Sequence, residues 1–279
     1  MIKKLFFAIL LTIASTHSKG QDYNFPSPST IALGLSGASD STAWAVFANP
    51  SGISNIRQPI AGTGYHNAFQ IEALSTQTAF VIIPSSLINT GLSYSRYGNQ
   101  LFNIQQAGIT AARALSNRLS LGCRMVYLWR YIKNSETSGA FLLDAGFRFR
   151  LSETASFAVS AKNPARQKIP DEYNDQPLPS FLSAAFIAGL SPSFRLTADV
   201  MHRTDYSRQV YSVGLEARLH KMAEFCGAVS AKPVRLAVGA NINWKNLEIK
   251  LAANHHDHLG MSSTAGIIYS FSRKKGGER

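Results

Sequence analysis

The residues most capable of metal chemistry are a run of imidazoles near the C-terminus. Asn254-His255-His256-Asp257-His258 places three imidazoles beside one carboxylate, and such groups can ligate zinc, copper or nickel. Adjacent residues of a strand point to opposite faces, however, and no second group of ligands accompanies the run. His255, His256 and His258 are therefore weak candidates, and we predict neither a metal site nor a cofactor.

A second set, His202, Asp205 and Ser207, offers an imidazole, a carboxylate and a hydroxyl in one predicted loop. Nucleophilic catalysis needs a base beside the nucleophile and an acid that orients the base. Loop residues at this spacing are common, so the set is weak. Phosphate-cradling glycine loops and Cys-x-x-Cys pairs are absent from the sequence. We predict no catalytic residues and a protein that is not an enzyme.

The remaining candidates are charged residues that recur on one parity of long alternating segments. They are Arg124, Arg130, Asp144, Arg148, Arg150, Arg195, Asp199, Glu216, Arg218, Arg235, Glu248 and Lys250. If the segments are strands, these charges face one shared interior. Buried charges are costly unless they are paired or hydrated, so we expect a structural salt-bridge network. The alternative is a polar path for a solute.

The segments that carry these charges alternate strictly between apolar and polar residues. From Leu119 to Tyr131 one parity is wholly apolar, and the other contains Arg124 and Arg130. The runs are about 10 to 13 residues long, whereas strands of soluble proteins are typically five or six. A tilted membrane strand needs about 9 to 11 residues. The pattern therefore predicts strands with one face toward lipid and one toward a polar interior.

Fourteen such runs predict an all-β fold, a transmembrane antiparallel up-and-down barrel over residues 58–272. The runs are 58–66, 74–83, 88–97, 101–114, 118–132, 138–150, 154–162, 178–189, 193–202, 207–220, 222–231, 234–244, 246–254 and 260–272. Every second connection is a short turn: Pro84–Ser86, Ser116–Asn117, Ser152–Glu153, Ser191–Pro192, Lys221 and Lys245. We predict that these turns and both termini are periplasmic. The longest loop is 163–177, and Lys232-Pro233 is shorter than the pattern expects.

A soluble β-sandwich is the alternative, because its strands alternate as well. Strand length favours the barrel, and so does the gathering of aromatic residues at run ends, where membrane interfaces lie. These aromatics are Tyr127, Trp129, Tyr131, Trp244, Tyr269 and Phe271. A leader that directs export favours it too.

That leader is residues 1–20. Lys3 and Lys4 precede an apolar run over 5–14, and Ser18-Lys19-Gly20 follows, which is typical of a secretory signal. The apolar run is far shorter than the roughly 20 residues of a spanning helix. We predict cleavage after Gly20, export to the outer membrane and a solvated basic tail at 273–279.

Composition limits the partners. Charged residues make up 16% of the chain, against about 25% in typical soluble domains. Three of the 28 basic residues and none of the 16 acidic ones lie in the leader, so residues 21–279 carry a net charge of +9. No basic helix suggests nucleic acid, and we expect outer-membrane lipid and lipopolysaccharide as partners. Cys123 and Cys226 fall on non-neighbouring strands, so we interpret both as unpaired, small buried hydrophobes.

Residues 21–57 do not alternate and cannot form a spanning strand. Asp40 to Asn49 predicts a short helix capped by Asp40, closed by Asn49-Pro50-Ser51-Gly52. The alternative is a disordered leader, but the large apolar residues Trp44 and Phe47 favour a plug-like segment folded inside or under the barrel.

The stretch from Ala32 to Ile53, with its Trp44-x-x-Phe47-x-Asn49-Pro50-Ser51-Gly52 core, resembles the N-terminal signature of the PorV/PorQ family. This family of Bacteroidetes outer-membrane proteins is related to FadL-like fourteen-stranded barrels. Leu35-Ser36-Gly37-Ala38 replaces the usual double glycine. The resemblance assigns a plug-like motif to Gly34, Gly37, Trp44, Phe47, Asn49, Pro50 and Gly52.

The resemblance implies an accessory protein of type IX secretion or surface-protein assembly, with secretion-system components or secreted cargo as partners. The alternative that it implies is a FadL-type transporter, in which the N-terminal segment gates a hydrophobic ligand.

Overall fold

Fourteen long antiparallel strands close into a barrel in which each strand pairs with its neighbours along the chain and the first pairs with the last. The computed structural model describes residues 25–34, 36–170, 175–204, 209–231 and 234–271. The barrel strands are β1 (Ile60–Asn67), β2 (Ser75–Ile83), β3 (Asn89–Gly98), β4 (Phe102–Ala114), β5 (Leu119–Ile132), β6 (Ser138–Arg150), β7 (Ala155–Lys162), β10 (Phe181–Gly189), β11 (Phe194–Arg203), β12 (Val210–His220), β13 (Ala223–Ala231), β14 (Arg235–Trp244), β15 (Leu247–His256) and β16 (Gly260–Ser270). The predicted fourteen-stranded barrel is confirmed.

The two faces of each strand differ as the alternation predicts. On β5, Leu121, Met125 and Tyr127 are exposed on the outside, whereas Arg124 and Val126 are buried inside. Successive residues of a strand point to opposite faces. The alternation therefore gives the barrel an apolar exterior and a largely polar interior.

The connections divide the barrel into two ends. The end that carries the short connections 84–88, 115–118, 151–154, 190–193, 221–222 and 245–246 is here called the turn end. The opposite, loop end carries the 163–180 connection, which contains a small hairpin of β8 (Lys168–Ile169) and β9 (Gln176–Pro177). Residues 178–180, predicted as the start of a strand, belong to this loop, because Leu178 turns into the lumen and packs there.

Outward-facing aromatics gather at both ends of the wall. Near the loop end, the Tyr127 ring stacks on Trp129 at 5.6 Å and packs against Phe141 at 4.8 Å between ring centroids. Near the turn end, Tyr269 and Phe271 meet edge to face at 5.0 Å. These positions are those of the two interfacial girdles of a membrane barrel.

None of the helices in the described ranges combines the length and the apolar character needed to cross a membrane.

Residues 25–57, hereafter the luminal segment, lie inside the barrel; Leu35 is not among its described residues. The segment contains a short helix α1 (Pro28–Ala32) and two 3-10 helices, Ala43–Phe47 and Pro50–Asn55. The prediction that Asp40 caps the first of these is wrong, because the Thr42 side chain accepts from Trp44 N–H. Asp40 instead accepts hydrogen bonds from the backbone and hydroxyl of Thr42.

The two cysteines are unpaired, on β5 and β13. Cys226 is buried, but the prediction that Cys123 is also buried is wrong, because the pleat places it on the exposed outer face.

Candidate functional site

The lumen brings the predicted site residues together, and its centre is the contact between the luminal segment and the wall. Lys162 Nζ donates to the Phe47 carbonyl at 2.7 Å, and Lys250 Nζ lies 2.9 Å from the Ser29 hydroxyl. Arg148 donates to two segment carbonyls, at 2.6 and 2.9 Å. These cations lie on β6, β7 and β15, so the segment is held from several sides.

Two further contacts extend this attachment. The Ser36 hydroxyl donates to the buried carboxylate of Asp199 on β11. At the turn end, the side-chain amide of Asn89 donates to the carbonyls of Ile53, Ser54 and Ile56 at 2.8 to 3.1 Å. The last backbone carbonyls of a helix lack intrahelical partners, so Asn89 adds donors at the end of the second 3-10 helix, where the Ile53 carbonyl also accepts the Ile56 N–H at 3.2 Å.

The plug-like motif residues all lie in this interface. Trp44 and Asn49 are wholly buried, and Phe47, Pro50 and Gly52 are also buried. The Asn49 carboxamide accepts from the Ser51 N–H and donates to the Ala38 carbonyl at 2.8 Å, which closes the motif on itself. Gly34 and Gly37 have φ of 98° and 66°, values that side chains rarely adopt, so both turns of the segment favour glycine.

Glycines of the wall provide the space for the motif. A Cβ added at Gly122 on β5 would lie 2.5 Å from the Ser51 nitrogen. One added at Gly146 on β6 would overlap the Asn49 side chain, and one at Gly266 on β16 would overlap the Trp44 ring. Glycine in a strand interior often marks a site where another backbone approaches closely.

The predicted lumen-facing charges serve two structural purposes. Three ion pairs link neighbouring strands: Arg124–Asp144 at 3.5 Å, Arg195–Glu216, and Arg218–Glu224 at 3.3 Å. Arg148, Asp199 and Lys250 instead bind the luminal segment. Arg130 and Arg235 also have partners, Glu248 is partly buried on β15, and Arg150 is exposed at the turn end.

The weak chemical candidates are not assembled into a site. His255 and His256 lie on opposite faces of β15, and the His256 ring nitrogen accepts the His258 backbone N–H at 3.2 Å. Within the described ranges, no group of three or more His, Cys, Asp or Glu residues could hold a metal ion. His202 is exposed on β11, and Asp205 and Ser207 lie outside the described residues.

The sequence interpretation missed an apolar cluster in the otherwise polar lumen. The cluster, hereafter the luminal apolar cluster, comprises the buried residues Phe25, Ile104, Val126, Leu128, Ala140, Leu142, Ile169, Leu178 and Phe181. Val126 and Leu128 stand on the same parity as Arg124 and Arg130. Apolar residues on a parity that is polar elsewhere were the signal that could have found the cluster.

The hairpin of the 163–180 loop covers this cluster from the loop end. Ile169 and Leu178 belong to the cluster, and the base of the loop is fastened by Asn163, which is fully buried. The Asn163 N–H donates to Asp144 at 3.1 Å, and its carboxamide donates to the Leu178 carbonyl at 3.2 Å. The Ser180 hydroxyl donates to the Asn163 carbonyl at 2.5 Å. The hairpin, hereafter the roof, is therefore attached to the wall through Asn163.

Two internal cavities separate the luminal segment from the wall. One lies between Phe25, Phe47 and Arg124, the other between Ser29, Asp40 and Glu216, and each has a volume of about 10 Å³. Such a volume has room for about one water molecule. At these two places the luminal segment packs closely against the wall.

Comparisons with known proteins agree on the architecture. The fold is similar to that of hydrocarbon channels of known structure. The toluene transporter TodX of Pseudomonas putida superimposes with a TM-score of 0.67 at 10% identity, over 89% of this chain and 98% of that chain. The monoaromatic hydrocarbon channel CymD gives 0.65 at 10% identity, over 87% and 98%. A FadL homologue of Pseudomonas aeruginosa gives 0.62 at 10% identity, over 90% and 98%.

At 10% identity these likenesses show the FadL-like fold alone. No protein-family model matches the chain, and no curated protein matches it in sequence. The resemblance of residues 32–53 to the PorV/PorQ family therefore stays a prediction.

Proposed function

We propose that this chain resides in the outer membrane with its turn end in the periplasm and takes up small hydrophobic molecules through its lumen. The observation that carries the proposal is the luminal apolar cluster, buried among polar wall residues beneath the hairpin roof. Hydrophobic ligand sites are lined mainly by apolar side chains with a few polar groups to orient the ligand. The FadL-like fold supports the same function.

The ligand would enter from the loop end. The luminal segment is held by wall residues on several strands, whereas the roof covers the cluster with two apolar side chains, Ile169 and Leu178. Displacing the side chains of the roof leaves the polar attachment of the segment intact. A ligand that fills the place of these side chains would restore the lost apolar contacts. The luminal segment then closes the way to the periplasm until it shifts.

The test measures binding of fluorotoluene to the full chain in lipid nanodiscs. Binding is monitored by ¹⁹F NMR, and empty nanodiscs are the reference. Val126→Trp would fill the cluster from inside, since Val126 is 1% exposed on the lumen side. Met125→Trp, on the adjacent outward position at 52% exposure, is the matched control. We expect saturable binding by the wild type and Met125→Trp and its loss in Val126→Trp. Equal binding by both variants would overturn the proposal.

A second function is favoured by the close packing of the luminal segment together with the motif at residues 32–53. A segment that leaves room for about one water in each of the two gaps beside it suits an interaction protein, accessory to type IX secretion or surface-protein assembly. Deletion of the gene separates the two functions. Loss of secreted surface proteins with unchanged uptake of hydrophobic compounds favours the second, and the reverse favours the first.

A further inference from the structure

The two ends of the barrel differ in charge. Among the described residues, the exposed charges of the turn end are Arg57, Arg113, Arg118, Arg150, Arg218, Lys221 and Lys245, with Glu153 as the one exposed carboxylate. The exposed charges of the loop end are mixed: Lys133, Arg166 and Lys168 with Glu72, Glu136, Asp175 and Asp257. The exposed positive charge of the described residues is therefore concentrated at the turn end, where it creates a field that attracts anions.

Two of these arginines are direct neighbours across strands. The Arg150 N–H donates to the Arg118 carbonyl at 2.7 Å, at the point where the pairing of β5 and β6 ends. Like charges placed opposite each other destabilise a sheet. Within the described ranges, no carboxylate forms an ion pair with either side chain. The repulsion between them is relieved when an anion binds to both guanidinium groups.

The pleat decides which way this pair faces. Arg118 and Arg150 share the parity of the buried Ser120 and the partly buried Arg148, so they border the mouth of the lumen. Arg148, one step deeper on the same face, already binds segment carbonyls. Arg113, in contrast, follows the buried Ala112 and so stands on the outer face, and Lys245 lies over the outer Trp244 ring at 5.3 Å. The first pair faces the barrel axis, and the second faces the lipid headgroups.

We propose that the turn-end mouth, with Arg118 and Arg150 side by side on its rim, binds an acidic polypeptide segment of a periplasmic partner. Guanidinium groups bind carboxylates through two parallel hydrogen bonds, and two of them side by side suit consecutive Asp or Glu side chains. Both residues are on the parity that faces the barrel axis rather than the surrounding lipid, which favours a polypeptide over a lipid phosphate. The periplasmic location of the partner rests on the orientation proposed above, whereas the binding itself does not depend on uptake of hydrophobic molecules.

The test uses the full chain in nanodiscs of zwitterionic lipid and a fluorescein-labelled decaglutamate peptide, with binding followed by fluorescence anisotropy. Two double variants carry the same change of charge: Arg118→Glu with Arg150→Glu at the mouth, and Arg113→Glu with Lys245→Glu on the outer face. We expect the mouth variant to weaken binding by about tenfold or more and the outer variant by less than about threefold, because close charges contribute more than screened ones.

The double variant Arg118→Gln with Arg150→Gln controls for misfolding. It removes both charges without introducing repulsion, and heat-dependent migration in electrophoresis reports whether the barrel is folded. We expect it to fold and to bind weakly. Equal losses in the mouth and outer variants would mean attraction by net charge alone and would overturn the proposal. A loss confined to the outer variant, or no binding by the wild type, would overturn it as well. Fluorotoluene binding is measured on the same variants. It reports on the proposed uptake, so a failure of that proposal can be distinguished from a failure of peptide binding at the mouth.

Discussion

The ammonium group of Lys162 lies 2.7 Å from the backbone carbonyl oxygen of Phe47, which joins the last residue of β7 to the end of a 3-10 helix 115 positions earlier in the chain. The Phe47 ring also lies beneath the Arg124 guanidinium, at 5.6 Å. Cationic side chains of the wall thus bind both the backbone and the ring of one segment residue. The attachment of the luminal segment and the stability of the barrel are coupled through these contacts.

Replacing Lys162 should therefore loosen the segment. Lys162→Met keeps the aliphatic stem but leaves the buried Phe47 carbonyl without this donor, which costs about 1–3 kcal/mol of unfolding free energy. Urea titration of the protein folded in lipid vesicles measures the loss. Lys168→Met, at an exposed position of the hairpin, is the control and should leave the midpoint unchanged. Equal midpoints for the two variants would contradict the coupling.

Wall glycines should be as important as the polar contacts. Gly146→Ala places a methyl group against the Asn49 side chain and within 2.8 Å of the Ser51 nitrogen. Overpacking of this kind costs about 1–3 kcal/mol. Gly227→Ala is the matched control, because its new methyl group meets nothing nearer than a carbonyl oxygen at 3.7 Å. We expect the thermal midpoint to fall for Gly146→Ala alone. A fall in both variants would argue against a specific packing site for Asn49 at Gly146.

Much of the barrel follows from the sequence because strand alternation is a strictly local property. The apolar parity of Leu119–Tyr131 determines which side of β5 meets lipid, and the short polar turns at Ser116 and Ser152 determine where strands reverse. Closure then follows from fourteen antiparallel runs, since an open edge would leave backbone groups unpaired in lipid. The observed ends of the strands differ from the predicted ends by a few positions. At 178–180, for example, tertiary packing outweighs the local pattern.

The contacts of the luminal segment could not be predicted in the same way. Alternation shows that Arg148 and Lys250 face inward, but not that they bind the backbone near Ser39 and the Ser29 hydroxyl. Those partners depend on how the segment is threaded through the closed barrel. The first 3-10 helix shows the same limit, because Asp40 and Thr42 are both good capping residues and only the packed structure selects Thr42.

The roof should control access to the luminal apolar cluster. Ile169→Ser with Leu178→Ser removes the apolar contacts of the hairpin, which contribute about 1.5–3 kcal/mol for each fully buried side chain. We expect fluorotoluene to bind and to leave several-fold faster in this variant, as measured by the ¹⁹F line width. Leu182→Ser, on the outer face of β10, is the control. Unchanged exchange rates in the roof variant would mean that the ligand enters elsewhere.

The Arg124–Asp144 pair should be more sensitive to the loss of one partner than to the loss of both. Both side chains are buried, and Asp144 also accepts the N–H of Asn163 at the base of the roof. Asp144→Asn leaves the Arg124 charge without its partner, which costs about 3–5 kcal/mol, whereas an apolar replacement of both residues is often neutral. We therefore expect Arg124→Met with Asp144→Leu to be more stable than Asp144→Asn in urea titrations in lipid vesicles. If the double variant loses as much unfolding free energy as the two corresponding single variants together, the two residues act independently.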